Sequence, residues 1–378
     1  MRGESSYDRR VNTCTSVEPL RAVDGLRHGD CLDFMRGMPD HSVDLIATDP
    51  PYYKVKGDAW DRQWDTPAAF LGWFDLLAEQ WQRILRPNGS LYVFVSPQMG
   101  SRVEVLLRER FNVLNFITWR KEQGRHKGAC KEELRGFFPA SERIIFAEHK
   151  SADNMAKGEA GYAAKCDELR GFVFEPLRSY LAAERDRAGF TTRKVAEAFQ
   201  VKSGSRTVTG MAGHWFERVQ WTLPTAANYA WLRDLFGAGC LPRPYEDLRR
   251  EYEDLRRPFN VSADVPYTDV WTFPTVSTRK GKHPCEKPLA MMEHIVAASS
   301  RTGAVVLDCF MGSGVTGEAA IKLGRDFIGM EMDPEYFASA SARLGRPVVP
   351  APLVLDLPRA APPVRPRHTP PPQLALFA

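Results

Sequence analysis

The stretch Val305-Val306-Leu307-Asp308-Cys309-Phe310-Met311-Gly312-Ser313-Gly314 decides the fold. Its aliphatic start fits a buried strand, and the closely spaced glycines let the backbone turn tightly into a helix expected from about Gly314 to Lys322. A strand that feeds a helix through a glycine turn is one unit of a parallel α/β sheet, and such a turn lets a nucleotide approach the backbone. The next apolar run, DFIGMEMD (residues 326–333), carries Glu331 where an acid at a strand end can hold ribose hydroxyls. G-S-G lacks the third glycine of the dinucleotide fingerprint, which leaves a nicotinamide oxidoreductase a distant alternative.

Working outward, the same grammar recurs. VDLIAT (Val43 to Thr48) ends in Asp49-Pro50-Pro51-Tyr52, and a Pro-Pro pair cannot continue a hydrogen-bonded ladder, so a strand stops there. Thr66 before Pro67 predicts a helix running to about Leu85, closed by a turn at Arg86-Pro87-Asn88-Gly89. LYVFVS (91–96), FNVLNFITW (111–119) and RIIFAEH (143–149) read as strands, with a helix reaching about Arg110 between the first two. Further helices are expected over 289–300 and 334–344. The repeated order predicts a doubly wound, Rossmann-like sheet. Between residues 150 and 260 strand-like runs vanish, so the domain plan is a leader (1–18), an α/β body (19–150 and 264–345), a helical insertion (151–263) and a tail (346–378) with ten prolines.

Composition bounds the function. The chain has 378 residues, 43% hydrophobic and 26% charged, with a formal net charge of +4. That excludes a polycation, and any nucleic-acid surface must be local. Four arginines against one aspartate make the tail basic, and within residues 187–218 of the insertion Arg187, Arg193, Lys194, Lys202, Arg206 and Arg218 face only Glu197 and Glu217. Seven scattered cysteines, none in a C-x-x-C pair, argue against a disulfide framework and a zinc site, so no metal is expected and a reducing cytoplasm is. No run of membrane-spanning length and no apolar signal core is present, so a secreted or integral membrane protein is not expected.

The tetrapeptide at 49–52 carries the chemistry. A carboxylate, a proline carbonyl and an aromatic face suit an exocyclic amine on a base extruded from DNA, whose two N–H groups need two acceptors while its ring stacks. The bland alternative is a surface turn after a core strand. At this point the chain resembles the β-class of S-adenosylmethionine-dependent DNA amino-methyltransferases. Gly29-Asp30-Cys31 and SVDLIATDPPY look like the family's opening, Asp49, Pro50, Pro51 and Tyr52 match its catalytic D-P-P-Y, and His283-Pro284-Cys285-Glu286-Lys287-Pro288 is similar to its H-P-x-x-K-P motif. Asp308 to Gly314 match its cofactor loop, with Cys309 where the family usually has proline, and Glu331 matches its ribose-binding acid. The order of motifs, catalytic before cofactor loop, is that of the β-class.

The resemblance implies S-adenosylmethionine as cofactor, double-stranded DNA as substrate and adenine N6 as target, in a cytoplasmic enzyme of bacterial or phage origin, often beside a restriction endonuclease. It also implies that Asp30 and Cys31 border the cofactor adenine and that Phe310, Gly312 and Gly314 with Asp308 form the nucleoside loop. Glu331 would take the ribose, and His283 and Lys287 would approach the methionine end. An N4-cytosine enzyme and a decayed, non-catalytic DNA-binding protein stay open as alternatives. Pro284-Cys285 imitates the nucleophile of cytosine C5 methyltransferases, but an amine target needs no covalent intermediate, so Cys285 is read as structural.

Two further segments concern partners. Residues 191–221 read as a helix-turn-helix whose second helix, MAGHWFERVQW (211–221), presents His214, Trp215 and Arg218 beside Arg193, Lys194 and Arg206; a solvated helix pair with a tryptophan core is the rival. YEDLRRE-YEDLRRP (245–258) is two heptads, too short for a free coiled coil, so packing on its own domain is favoured over a dimer seam, although the resemblance implies a homodimer. Gln373 to Phe377 (QLALF) resemble peptides that dock on replication sliding clamps.

Overall fold

A computed structural model describes residues 25–55, 57–121, 137, 140–148, 173–208, 210–217, 221–260, 268–276 and 285–345. The leader, His283, Arg218 and the tail with Gln373 to Phe377 lie outside the described residues. Eight strands form one sheet: β1 (Leu26–His28), β2 (Val43–Thr48), β3 (Leu85–Val95), β4 (Asn112–Arg120), β5 (Ser141–Glu148), β6 (Val270–Thr272), β7 (Val305–Asp308) and β8 (Asp326–Glu331). Their spatial order is β1-β8-β7-β2-β3-β5-β4-β6, with β5 antiparallel to both neighbours and the other pairs parallel.

The central strands are apolar where both faces are covered, as at Leu45 to Ala47, Leu91 to Val95 and Val306 to Leu307. In β3, Leu91, Val93 and Val95 point into one core cluster and Tyr92 and Phe94 into the other. The first cluster is closed by α1 (Cys31–Arg36), α2 (Pro67–Ile84) and α3 (Gly100–Arg108), the second by α8 (Leu289–Ser299), α9 (Val315–Lys322) and α10 (Pro334–Arg343). Helix α2 shows the logic: Thr66 accepts the Ala69 N–H at 3.1 Å, Pro67 opens the first turn, and Phe70, Phe74, Leu77, Ala78, Trp81 and Ile84 make the buried stripe at helical spacing.

Two expectations change. The predicted turn at 86–89 is a bulge inside β3, since Val43 pairs with Leu85 but Leu45 with Ser90. Pro87 has no N–H for the ladder, and the Asn88 amide instead donates to the Asp254 carbonyl at 2.9 Å. The second helix of the predicted helix-turn-helix is also absent among the described residues: residues 210–215 form one 3₁₀ segment, followed by a turn at 216–217. Gly210 and Gly213 disfavour a helix there, and Trp215, Phe216 and Trp221 all fold inward, with the Trp221 ring N–H donating to the Trp215 carbonyl at 2.9 Å.

The insertion has its own core. Helices α4 (Glu175–Arg187), α5 (Thr192–Ser203), α6 (Ala226–Phe236) and α7 (Tyr245–Leu255) bury Leu177, Leu181, Val195, Trp215, Tyr229 and Leu232. The heptad helix α7 turns Leu248 into that core, and Tyr245, Tyr252 and Leu255 pack against it. At its neck Arg257 Nε meets Glu148 Oε2 at 2.7 Å, while Arg301 donates to the Asp254 and Arg256 carbonyls at 3.2 and 2.9 Å.

Candidate active site

From β2 the sheet continues through β3 on one side, and from β7 through β8 on the other, so the crevice between β2 and β7 is the switch point where open α/β sheets bind ligands. Leu45 and Ile46 pair with Val306 and Leu307, which puts the 49–52 and 308–314 loops side by side. Thr48 joins them, its hydroxyl donating to Asp308 Oδ1 at 2.9 Å.

After β2 the chain is held from several directions. The Tyr52 N–H donates to Asp61 Oδ1 at 2.7 Å, the Ser96 hydroxyl donates to the Tyr52 carbonyl at 3.2 Å, and Tyr53 and Lys54 take left-handed φ of 65° and 59°. Asp49 is 22% exposed; its Oδ2 accepts from Lys287 Nζ at 2.5 Å, whereas Oδ1 is buried without a hydrogen-bond partner. Leaving a buried acceptor unpaired costs about 1–3 kcal/mol, and more for a charged group, so Asp49 is poised to accept from something that arrives. The Pro50 carbonyl follows it in the chain.

Lys287 is 6% exposed and completes this cluster: besides Asp49 it donates to the Tyr52 hydroxyl at 3.1 Å and stands 3.3 Å from Glu142 Oε2. Tyr52 in turn donates to Glu142 Oε2 at 3.1 Å, and Glu142 is ion-paired with Lys121. Burial would raise the Glu142 carboxyl, but Lys287 and Lys121 outweigh it and bring it down to about 2. Burial would lower the Lys287 ammonium, and the Asp49 and Glu142 carboxylates reverse that and raise it. The Tyr52 hydroxyl is pushed far up by burial and by the same two carboxylates, so it stays neutral.

The model of the DNA methylase family, which covers N6 and N4 methyltransferases, matches residues 43–342. The chain belongs to this family. It is an S-adenosylmethionine-dependent DNA methyltransferase. Among curated proteins it is similar to the DNA adenine methyltransferase YhdJ of Escherichia coli, 27% identical over 87% of this chain and 86% of the relative. It is also similar to the type II methyltransferase M2.MboI of Moraxella bovis, 23% identical over 83% and 85%. Among solved structures, the complex of M1.HpyAVI with S-adenosylmethionine is 20% identical at a TM-score of 0.46, covering 84% of this chain and 98% of that one.

The glycine turn after β7 offers the methylase a fit for a nucleoside. Gly312 and Gly314 have φ of 50° and 78°, where a side chain would strain the turn. Glu331 Oε2 accepts the Gly312 N–H and Oε1 the Asp333 N–H, both at 2.8 Å, tying the end of β8 to the turn. Burial raises its carboxyl against those bonds. Phe310 packs 5.8 Å from the Trp73 ring, and Gly29 donates to the Glu331 carbonyl at 2.9 Å, which brings Asp30 beside that acid. Carboxylates for hydroxyls, a bare turn and an aromatic wall are the donor set a nucleoside cofactor needs.

Three expected cofactor contacts are corrected. Asp30 lies at the rim, with Oδ1 capping α1 through the Leu32 N–H at 2.8 Å, but Cys31 is a core residue whose thiol hydrogen-bonds Cys309 and is raised by that bond and by burial. Asp308 is buried, and its bonds run inward to Thr48, to Thr316 at 2.6 Å and to the Phe310 N–H at 3.1 Å, so it shapes the loop from beneath. Lys287 serves the tetrapeptide rather than the glycine loop. Cys309, in the place of the usual proline, packs in the core where Trp81 Nε1 donates to its sulfur at 3.3 Å.

In the insertion Arg193, Lys194 and Arg206 are exposed, Arg193 being paired with Glu197 at 2.9 Å. His214 is half-buried with Nδ1 unpartnered, and Trp215, at 2% exposure, is unavailable to DNA because it packs against Phe199. Glu142, Lys121 and Asp61 are site residues that the sequence motifs do not reveal. No described group of three His, Cys, Asp or Glu side chains could hold a metal, and no described helix is long and apolar enough to cross a membrane.

Proposed function

We propose that this methylase transfers a methyl group to N6 of an adenine flipped out of double-stranded DNA. The observation that carries the reading is the buried, unpartnered Oδ1 of Asp49 beside the Pro50 carbonyl at the switch point. Adenine's N6 lone pair is delocalised into the ring and is a poor nucleophile. Asp49 Oδ1 and the Pro50 carbonyl accept its two N–H bonds and draw it toward sp3 geometry, an interaction that strengthens as positive charge develops on nitrogen. Tyr52, fixed through its hydroxyl, supplies a face for the extruded ring, and Pro51 keeps the loop rigid. The cofactor, when bound, supplies an electrophilic methyl group on a sulfonium whose charge is lost on transfer. Asp30, Phe310, Gly312, Gly314 and Glu331 hold it, and the motif resemblance assigns His283, which lies outside the described residues, to its methionine end.

The exposed Arg193, Lys194 and Arg206 of the insertion contact DNA phosphates, and His214 and Arg218 are the further candidates for DNA recognition. A homodimer, and capture of a sliding clamp by Gln373 to Phe377, belong to the same proposal. YhdJ and M2.MboI support the choice of reaction, the former being named an adenine methyltransferase. Expression in a methylation-free host, followed by mapping of modified bases, tests it: N6-methyladenine at one sequence context is expected. N4-methylcytosine instead would refute the target, and unmodified DNA the activity.

A further inference from the structure

Four ionised side chains from four separate segments form a row of alternating sign beside the tetrapeptide: Lys121 at the end of β4, Glu142 in β5, Lys287 ahead of α8 and Asp49 after β2. Lys121 is 27% exposed, Glu142 16%, Lys287 6% and Asp49 22%, so the two inner charges are the most buried and the row opens again at the candidate catalytic carboxylate. We propose that Glu142, backed by Lys121, is a positioning residue for methyl transfer: it holds the Lys287 ammonium on Asp49 Oδ2, so that Oδ1 is the oxygen left for the incoming amine. The inference rests on the adenine-N6 reading above and deepens it.

An ammonium with one carboxylate partner can swing between that partner's two oxygens and satisfy both in turn. Here its three N–H directions are assigned, to Asp49 Oδ2, to the Tyr52 hydroxyl and toward Glu142 Oε2. The ammonium also lies over the rings of Tyr52 and Phe94, with Nζ 5.2 and 5.0 Å from their centres. Glu142 does two jobs through one oxygen, since Oε2 faces Lys287 and also accepts from the Tyr52 hydroxyl, fixing the aromatic face and the carboxylate relative to each other. Its negative charge is what matters for Lys287, because a neutral amide could still accept from Tyr52 but would leave the buried ammonium with a single countercharge. Lys121 keeps Glu142 ionised and turned toward the site.

A merely structural ion pair would affect melting temperature and nothing else, so the test separates binding, chemistry and stability. The full-length protein is assayed on a duplex carrying its mapped target, with S-adenosylmethionine, under single-turnover conditions. Glu142→Gln is expected to keep the dissociation constants for cofactor and duplex while the methyl-transfer rate falls about 10- to 100-fold, the scale of a misplaced catalytic group. Glu142→Asp should recover part of that loss, and in a Lys287→Met background Glu142→Gln should cost nothing further, because both act on one carboxylate. If Glu142→Gln does not fold, Lys121→Met, which leaves the glutamate in place and only loosens it, should show a smaller loss in the same rate. An unchanged single-turnover rate in the folded variant, or an equal loss with and without Lys287, overturns the proposal. Failure of the wild-type protein to methylate any duplex sinks the adenine reading instead, whereas wild-type transfer with unimpaired Glu142→Gln sinks only this inference.

Discussion

Two adjacent loops each carry an aspartate at the carboxyl end of a parallel strand, Asp308 buried and Asp49 partly exposed, and they use it in opposite ways. Asp308, the last residue of β7, spends its bonds on the surrounding scaffold, through Thr48 of β2, Thr316 of α9 and the Phe310 N–H. Asp49, after β2, commits one oxygen to Lys287 and keeps the other buried and unpartnered. Residue type and placement are the same in both; hydrogen-bond accounting separates the scaffold from the chemistry.

The contrast can be broken by substitution. The largest effect is expected from Asp49→Ala, which should lower the single-turnover rate about a thousand-fold, the scale for removing a group that stabilises transition-state charge, while cofactor affinity stays near wild type. A loss seen only in binding would put Asp49 in the scaffold class. Asp308→Ala should do the reverse: about 2–4 kcal/mol of stability lost in urea unfolding, from three orphaned donors and a cavity, with the rate of the loaded enzyme far less affected. Tyr52→Phe keeps the ring and removes one hydroxyl, so a fall of about tenfold or less in rate is expected, read in the same assay.

The smallest effect is a pair of opposite pH slopes. Burial pushes the Asp308 carboxyl up to about 6 in spite of its hydrogen bonds. The folded chain therefore holds that proton more tightly than the unfolded one, so this contribution to stability is full below about pH 4 and lost as pH rises through 6. Glu142, brought down to about 2, contributes stability above about pH 4.5 that is lost as pH falls toward 2. Asp308→Asn should flatten the first slope and Glu142→Gln the second, measured by chemical denaturation across that range. Equal slopes in wild type and variants would remove the electrostatic half of the comparison.

The α/β fold was legible because its strands are covered on both faces and so appear as apolar runs, each stopped by a local signal: Pro50-Pro51 after β2 and the glycine turn after β7. The tetrapeptide and the glycine loop were legible for the same reason, since each is contiguous. Glu142 and Lys121 were not, because they reach Lys287 and Tyr52 through sheet register. Strand β5 lies antiparallel between β3 and β4, which brings residues far apart in the chain to one point. The one available hint was a charged pair, Glu142-Arg143, opening an otherwise apolar strand. The helix expected over 211–221 failed because one pattern of tryptophans fits either a helical face or a chain folding over its own core, and Gly210 and Gly213 favour the second.

The ion pair between Arg257 and Glu148 joins the point where the chain leaves the sheet to the point where it returns. The described helices of the insertion lie between these two points in the chain, and Asn112 also donates to Glu148 at 2.8 Å to brace the neck from the sheet side. Such a closure makes the intervening segment a cassette. On the proposed reading of the insertion as the DNA-recognition unit, another such unit joined at the neck would change the target sequence while the chemistry at the tetrapeptide is inherited.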